Sequence, residues 1–140
     1  MAEIEINFLA VLVAAVVSMI VGFVWYSPIL FARPWMKLSG MTKEKIAKTD
    51  MTKTYGTSFV VAIVTAYVLA HVMGLSMNFY NYSGLSTGLT SAFWMWLGFV
   101  MPVQLTSWLF DGRSFTLFLI NTGYQLASLL AVGLVIGLWV

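Results

Sequence analysis

Four long apolar runs divide the chain, and short polar segments separate them. The runs cover about residues 8–26, 56–75, 89–110 and 115–140, and none contains Asp, Glu, Lys or Arg. Each is close to the roughly 20 residues that a helix needs to cross a bilayer. The runs are continuous and do not alternate with period two, so they favour helices over barrel strands. We predict an all-α, polytopic membrane protein with four transmembrane helices in a single domain.

Basic residues predict the orientation of these helices. All seven fall in the segment 27–55 or in the turn between the third and fourth runs. Because cytoplasmic loops carry the excess of Lys and Arg, we expect a cytoplasmic loop at 27–55 and both termini on the outer side. The chain begins with the acidic residues Glu3 and Glu5, whereas a secretory signal begins with positive charge. We therefore expect the first helix to be retained.

Composition argues against several classes of protein. Hydrophobic residues make up 61% of the chain and charged residues 9%, against about 25% charged in soluble domains. A net charge of +2 without a basic stripe argues against nucleic-acid binding. The chain has no cysteine and one histidine, and no acidic residue lies inside a run. We expect no metal site, no cofactor and no catalytic residues, and hence no enzyme.

Amide and hydroxyl side chains form a candidate polar layer within the membrane. Gln104 lies six residues before the end of the third run, and Asn121 lies six residues after the start of the fourth. Gln125 and Ser128 follow Asn121 along one face of the fourth helix. Because amides in hydrocarbon need partners, we expect Gln104 to reach Asn121 or Gln125. The layer either holds the helices together or lines a polar path.

A second candidate cluster lies at the predicted inner boundary. Aromatic residues there are typical of a membrane-interface belt, and Asp111 is the acidic residue at a helix end on this side. We predict an ion pair between Asp111 and Arg33, or otherwise Arg113, with stabilisation of the fourth helix's N-terminus as the alternative. Asn7 and His71 are polar candidates on the outer side. The inner cluster comprises Trp25, Tyr26, Pro28, Arg33, Trp35, Asp111 and Arg113.

Small residues at every fourth position predict close packing of the helices. The first helix carries Ala10, Ala14, Ser18 and Gly22, and the second carries Ala62, Ala66, Ala70 and Gly74. Such stripes let helix backbones approach each other in lipid. A further pair, Gly133 and Gly137, lies on a separate face of the fourth helix and would serve either the bundle or a subunit contact. We expect a homo-oligomer.

Several short motifs resemble those of one family of small bacterial membrane proteins, which is described only as a domain of unknown function. The most specific motif is Trp25-Tyr26-Ser27-Pro28 followed by Trp35-Met36-Lys37, and Asp111-Gly112-Arg113 matches as well. The resemblance covers nearly the whole chain. It implies a bacterial inner-membrane protein with four helices, and it brings no activity, substrate or catalytic residue.

Two functions remain open from the sequence. The first is an oligomeric channel or transporter for a small solute, with the polar layer lining its path. The second is a non-catalytic accessory or structural protein that binds membrane lipid or another membrane protein. The sequence does not identify a small-molecule ligand for either function.

Overall fold

A computed structural model describes residues 3–140, which form seven α-helices and one π-helical turn. The helices are α1 (Phe8–Trp25), α2 (Ala32–Ser39), α3 (Lys43–Lys48), α4 (Met51–Tyr80), α5 (Gly84–Met95), α6 (Met101–Asp111) and α7 (Phe115–Trp139), with the π-helical turn at Trp96–Val100 between α5 and α6.

Four helical segments are long and apolar enough to cross a membrane. They are α1, α4, the continuous α5–α6 segment and α7. The described residues contain no strand. The prediction of an all-α protein with four membrane-spanning helices is therefore confirmed.

The second and third membrane-spanning segments are longer than the sequence predicted. The polar segment 76–88, expected as a loop, belongs largely to α4 and α5, and only residues 81–83 connect them. Asn81 ends α4 in a left-handed conformation, with its N–H donating to the Met77 carbonyl. The Ser83 hydroxyl accepts from the Ser86 N–H at 3.3 Å and so caps α5. Caps on both sides let the helices continue beyond their apolar parts.

The expected loop 27–55 is also partly helical. It contains α2 and α3, and α4 already begins at Met51. Thr42 caps α3, since its hydroxyl accepts from the Lys45 N–H at 3.1 Å. Asp50 caps α4 in the same way through the Lys53 N–H. These caps place residues 51–55 on α4 rather than in the loop.

Helix α1 packs against α4 and α7, and α5 packs against α4 and α7 on the other side. The predicted small-residue stripes face this interior: Ala14 and Ala66 are fully buried. Leu69, Met73 and Val132 are the largest fully buried side chains and fill the centre of the bundle. A solute path therefore does not run along the axis of a single chain.

The glycine pair of α7 packs inside the bundle and not against another subunit. A Cβ built on Gly133 would collide with the Gly88 carbonyl oxygen of α5, and one built on Gly137 would lie 2.5 Å from the Gly84 oxygen. Two glycine pairs thus meet backbone to backbone, the arrangement that small residues permit in lipid. The subunit contact considered for Gly133 and Gly137 is wrong.

Helix α6 turns away from this tight packing. Pro102 lacks an N–H, so the preceding turn cannot keep the ordinary α-helical pattern. The chain adopts the π-helical turn there, with the Met101 N–H donating to the Trp96 carbonyl. Helix α6 then runs to Asp111 without a single buried residue.

All seven basic residues lie at one end of the bundle, on α2, on α3, in the first turn of α4 and in the α6–α7 connection. We call this the basic end.

Candidate functional site

An open groove lies between α1, α4 and α7 in the half of the bundle nearest the basic end. It consists of two adjoining cavities of about 520 and 580 Å³. Met19, Thr54, Ser58 and Tyr124 line both cavities, so the two form one continuous space. We call it the α1/α4/α7 groove.

The groove surface is mostly apolar with hydroxyl and amide groups set into it, and its lining carries a single charge, Lys53. Lys53 is in the first turn of α4, at the mouth. Gln125 lies about 15 Å along α7 from Phe115, because an α-helix rises about 1.5 Å per residue. The other hydroxyl and amide side chains that line the groove are Ser18, Tyr26, Thr54, Tyr55, Thr57, Ser58, Thr65, Asn121, Tyr124 and Ser128.

Side-chain hydrogen bonds fix α1 against α7 beside the groove. The buried hydroxyls of Ser18 and Ser128 lie 2.7 Å apart. The Tyr26 hydroxyl donates to the Asn121 carbonyl oxygen at 2.8 Å. The Trp25 indole N–H donates to the Ile120 carbonyl at 3.0 Å. These bonds make the α1–α7 wall a defined surface.

The aromatic residues of the predicted inner cluster pack inward. Trp25 bonds to α7, and the Tyr26 ring lies 5.2 Å from the Tyr124 ring and 5.5 Å from the Trp35 ring, both edge to face. Trp35 on α2 therefore closes the groove at the basic end. The membrane-interface belt stays a prediction, and the structure adds that these half-buried residues have partners within the chain.

A second, smaller cavity of about 130 Å³ lies between α6 and α7 at the basic end. We call it the α6/α7 cavity. Gln104 and Trp108 are among the residues that line it. The Gln104 side-chain oxygen and the Trp108 indole nitrogen are themselves buried without a hydrogen-bond partner. Asp111 and Arg113 lie on its rim. Such unpartnered buried groups are uncommon in native structures.

The predicted polar layer is divided between these two spaces. Gln104 and Asn121 line the α6/α7 cavity together, as their equal depth suggested. The expected bond from Gln104 to Asn121 or Gln125 is absent, since the Gln104 oxygen has no partner and the Asn121 oxygen accepts from Tyr26. Gln125 and Ser128 face the α1/α4/α7 groove.

The inner cluster is divided as well. Arg33 is exposed on α2 and does not line the α6/α7 cavity, whereas Arg113 lines it together with Asp111. Within residues 3–140 the predicted Asp111–Arg33 ion pair is not formed. Pro28 is exposed in the turn that joins α1 to α2, where the Leu30 N–H donates to the Ser27 carbonyl at 3.0 Å.

The two polar candidates at the opposite end, Asn7 and His71, contact residues close to them in the sequence. Asn7 caps α1, since its side-chain oxygen Oδ1 accepts from the N–H groups of Leu9 and Ala10 at 3.0 and 3.2 Å. Helix capping is a structural role, and it accounts for an asparagine at this position. His71 is exposed, with its ring 6.4 Å from that of Tyr67.

The hydroxyl face of α4 was missed from the sequence. Thr54, Ser58 and Thr65 recur at spacings of four and seven, which places them on one side of a helix. The signal was present, but the predicted span began at residue 56 and left Thr54 in a loop. Only the start of α4 at Met51 adds Thr54 to Ser58 and Thr65, and two hydroxyl residues alone do not define a helix face.

Comparison with known proteins gives a family and no activity. The chain matches the family described as "Protein of unknown function (DUF1761)" over residues 9–137. No curated protein and no solved structure matches it. The family match covers nearly all of the four membrane-spanning segments, together with the α1/α4/α7 groove and the α6/α7 cavity, and this multi-pass membrane protein therefore belongs to that family of unknown function.

Proposed function

We propose that this is a non-catalytic protein of the bacterial cytoplasmic membrane that binds a phospholipid in the α1/α4/α7 groove. The basic end faces the cytoplasm and both termini lie outside, following the positive-inside rule. The lipid phosphate lies at Lys53, and the glycerol and acyl groups extend along the hydroxyl-lined and apolar parts of the groove.

The observation that carries this proposal is an open groove within an apolar span, with exposed hydroxyl groups set into its mostly apolar lining. Thr57, Ser58 and Thr65 are exposed on α4 and face the groove. A hydroxyl or amide left in pure hydrocarbon without a partner costs several kcal/mol, roughly 2–7 by reference state. An occupant that offers polar atoms at this depth, such as the ester groups of a phospholipid, removes that cost.

The groove has its single charge at one end, with polar and apolar groups beyond it. Lys53 lies nearest the basic end of α4, and Val61, Ala62 and Thr65 lie deeper. A phospholipid likewise joins an anionic headgroup to polar ester groups and hydrocarbon. A lysine near the membrane surface attracts anionic lipid by about 1 kcal/mol.

Lipid retention tests the proposal. Native mass spectrometry of the protein extracted in mild detergent should show bound phospholipid. Lys53→Gln should reduce the occupancy about tenfold, since a charge-assisted hydrogen bond is roughly twice as strong as a neutral one. Lys48→Gln is the matched control, because Lys48 lies on α3 at the same end and does not line the groove. Equal occupancy in the two variants would refute the lipid site.

A solute path completed by a second copy of the chain is the second candidate function. The open side of the α1/α4/α7 groove favours it, because a neighbouring copy would close the polar lining into a channel. The same mass spectra distinguish the two functions. A dimer or higher oligomer without lipid supports the path, and a monomer with lipid supports the accessory role.

A further inference from the structure

We propose that the phospholipid in the α1/α4/α7 groove carries a trimethylammonium headgroup, which lies among aromatic rings at the basic end of the groove. The proposal rests on the proposed function and adds to it the headgroup class of the lipid.

Aromatic side chains line the larger part of the groove, the cavity of about 580 Å³. They come from α2, α4, α7 and the end of α1, and none of them is buried. Each therefore presents ring surface to an occupant. We call this part of the groove the aromatic cavity, and its rings are those of Phe23, Tyr26, Trp35, Tyr55 and Tyr124.

The rings meet at steep angles and so form walls rather than a stack. The plane of the Tyr26 ring lies at 63° to that of Trp35 and at 62° to that of Tyr124, with centroids 5.5 and 5.2 Å apart. Phe23 and Tyr55 form a further pair at 64°. Aromatic rings attract cations electrostatically, Trp most strongly, and several rings around one cavity are typical of sites for quaternary ammonium groups.

Charge places the two ends of a zwitterionic headgroup. Lys53 lines the adjoining cavity, and Thr54 and Ser58 line both cavities. A phosphate at Lys53 therefore leaves the rest of the headgroup in the aromatic cavity, while the acyl chains extend the other way, towards Val61. Of the residues in the described part of the chain that line either cavity, none is Asp or Glu. A cation in the aromatic cavity is thus stabilised by rings and not by a carboxylate.

Hydrogen-bonding capacity separates a trimethylammonium group from a primary ammonium group. A primary ammonium group has three N–H donors that need acceptors. The Asn121 side-chain oxygen already accepts from the Tyr26 hydroxyl, and hydroxyl groups supply the other side-chain oxygens in the lining. A trimethylammonium group has no N–H, and its methyl groups pack against rings. The aromatic cavity is therefore complementary to a choline headgroup rather than to ethanolamine.

Competition between lipids tests the headgroup. The protein would be placed in nanodiscs with equal amounts of phosphatidylcholine, phosphatidylethanolamine and a phosphatidylcholine analogue whose trimethylammonium is replaced by a neutral tert-butyl group. Native mass spectrometry then reports which lipid is bound. We expect phosphatidylcholine to be bound about fivefold more than either competitor, because the analogue keeps the shape and loses the cation.

Ring variants test the place of the headgroup. Tyr55→Leu should reduce the preference for phosphatidylcholine about twofold, since it removes one ring. Tyr67→Leu is the matched control, because Tyr67 is also on α4, is 41% exposed against 42% for Tyr55, and does not line the cavity. Trp35→Leu should reduce the preference as well, and Trp35→Phe should keep most of it. Circular dichroism reports whether each variant keeps its helical content.

Two kinds of failure are distinguishable. Bound lipid without a headgroup preference would overturn this inference and leave the lipid site standing. A preference shared by the tert-butyl analogue, or kept in both Tyr55→Leu and Trp35→Leu, would overturn it in the same way. No bound lipid of any kind would refute the proposed function, and this inference with it.

Discussion

At the scale of single residues, the end of α1 is held by the backbone of α7. The Trp25 indole N–H reaches the Ile120 carbonyl, and the absence of a side chain at Gly123 makes room for its ring. A Cβ at Gly123 would lie 3.1 Å from the Trp25 ring. The sequence predicted that Trp25 lies at the membrane boundary, but the direction of its ring depends on a glycine almost 100 positions away. The pattern of residues in one sequence does not show that Trp25 and Gly123 are in contact.

Trp25→Phe should lower the free energy of unfolding by about 1 kcal/mol, the usual net value of one hydrogen bond. Equilibrium unfolding in mixed detergent and SDS micelles, followed by circular dichroism, measures it. Trp94→Phe serves as the control, because Trp94 is 62% exposed. An equal loss in both variants would mean that the Ile120 bond contributes nothing of its own.

At the scale of helices, glycines decide which pairs come close. Gly84 and Gly88 on α5 meet Gly137 and Gly133 on α7 at backbone contact. Hydropathy predicted the four membrane-spanning helices, since the apolar composition of a segment indicates whether it crosses the bilayer. Hydropathy did not predict which helices pack against each other, because α1, α4 and α7 all carry small residues at the same spacing. The added turns of α4 and α5 were missed for another reason: their polar residues end the apolar run but not the helix.

Gly133→Ala should destabilise the bundle by about 1–3 kcal/mol or more, as overpacking does, because the new methyl group would lie 2.8 Å from the Gly88 carbonyl carbon. The same unfolding measurement applies. Gly56→Ala is the matched control on α4, where a Cβ meets nothing within 4 Å. It should be neutral or add up to about 1 kcal/mol from helix propensity. Similar stabilities of the two variants would contradict the α5–α7 contact.

At the scale of the whole molecule, packing is uneven around the bundle. Glycine contacts close the space between α5 and α7, whereas α4 and α7 leave a groove between them near the basic end. A further cavity of about 350 Å³ lies beside α1, α4 and α7 at the opposite end. Gln125 and Ser128 were predicted as polar groups within the membrane, and both line this groove. Sequence periodicity places these residues on a helix face but does not report the spacing between helices that leaves the groove open. We infer that lipid enters from the side.

Photocrosslinking is the most direct test of lipid binding in the α1/α4/α7 groove. A phospholipid with a photoreactive group on its acyl chain would be incorporated into nanodiscs with the protein, and the crosslinked residues mapped by peptide mass spectrometry. We predict that crosslinks concentrate on residues 57–65 of α4 and 124–129 of α7, and that Ser58→Phe removes them while Val60→Phe, at an exposed position outside the groove, does not. Crosslinks spread evenly over every exposed face, including Val103 and Phe110 of α6, would contradict it.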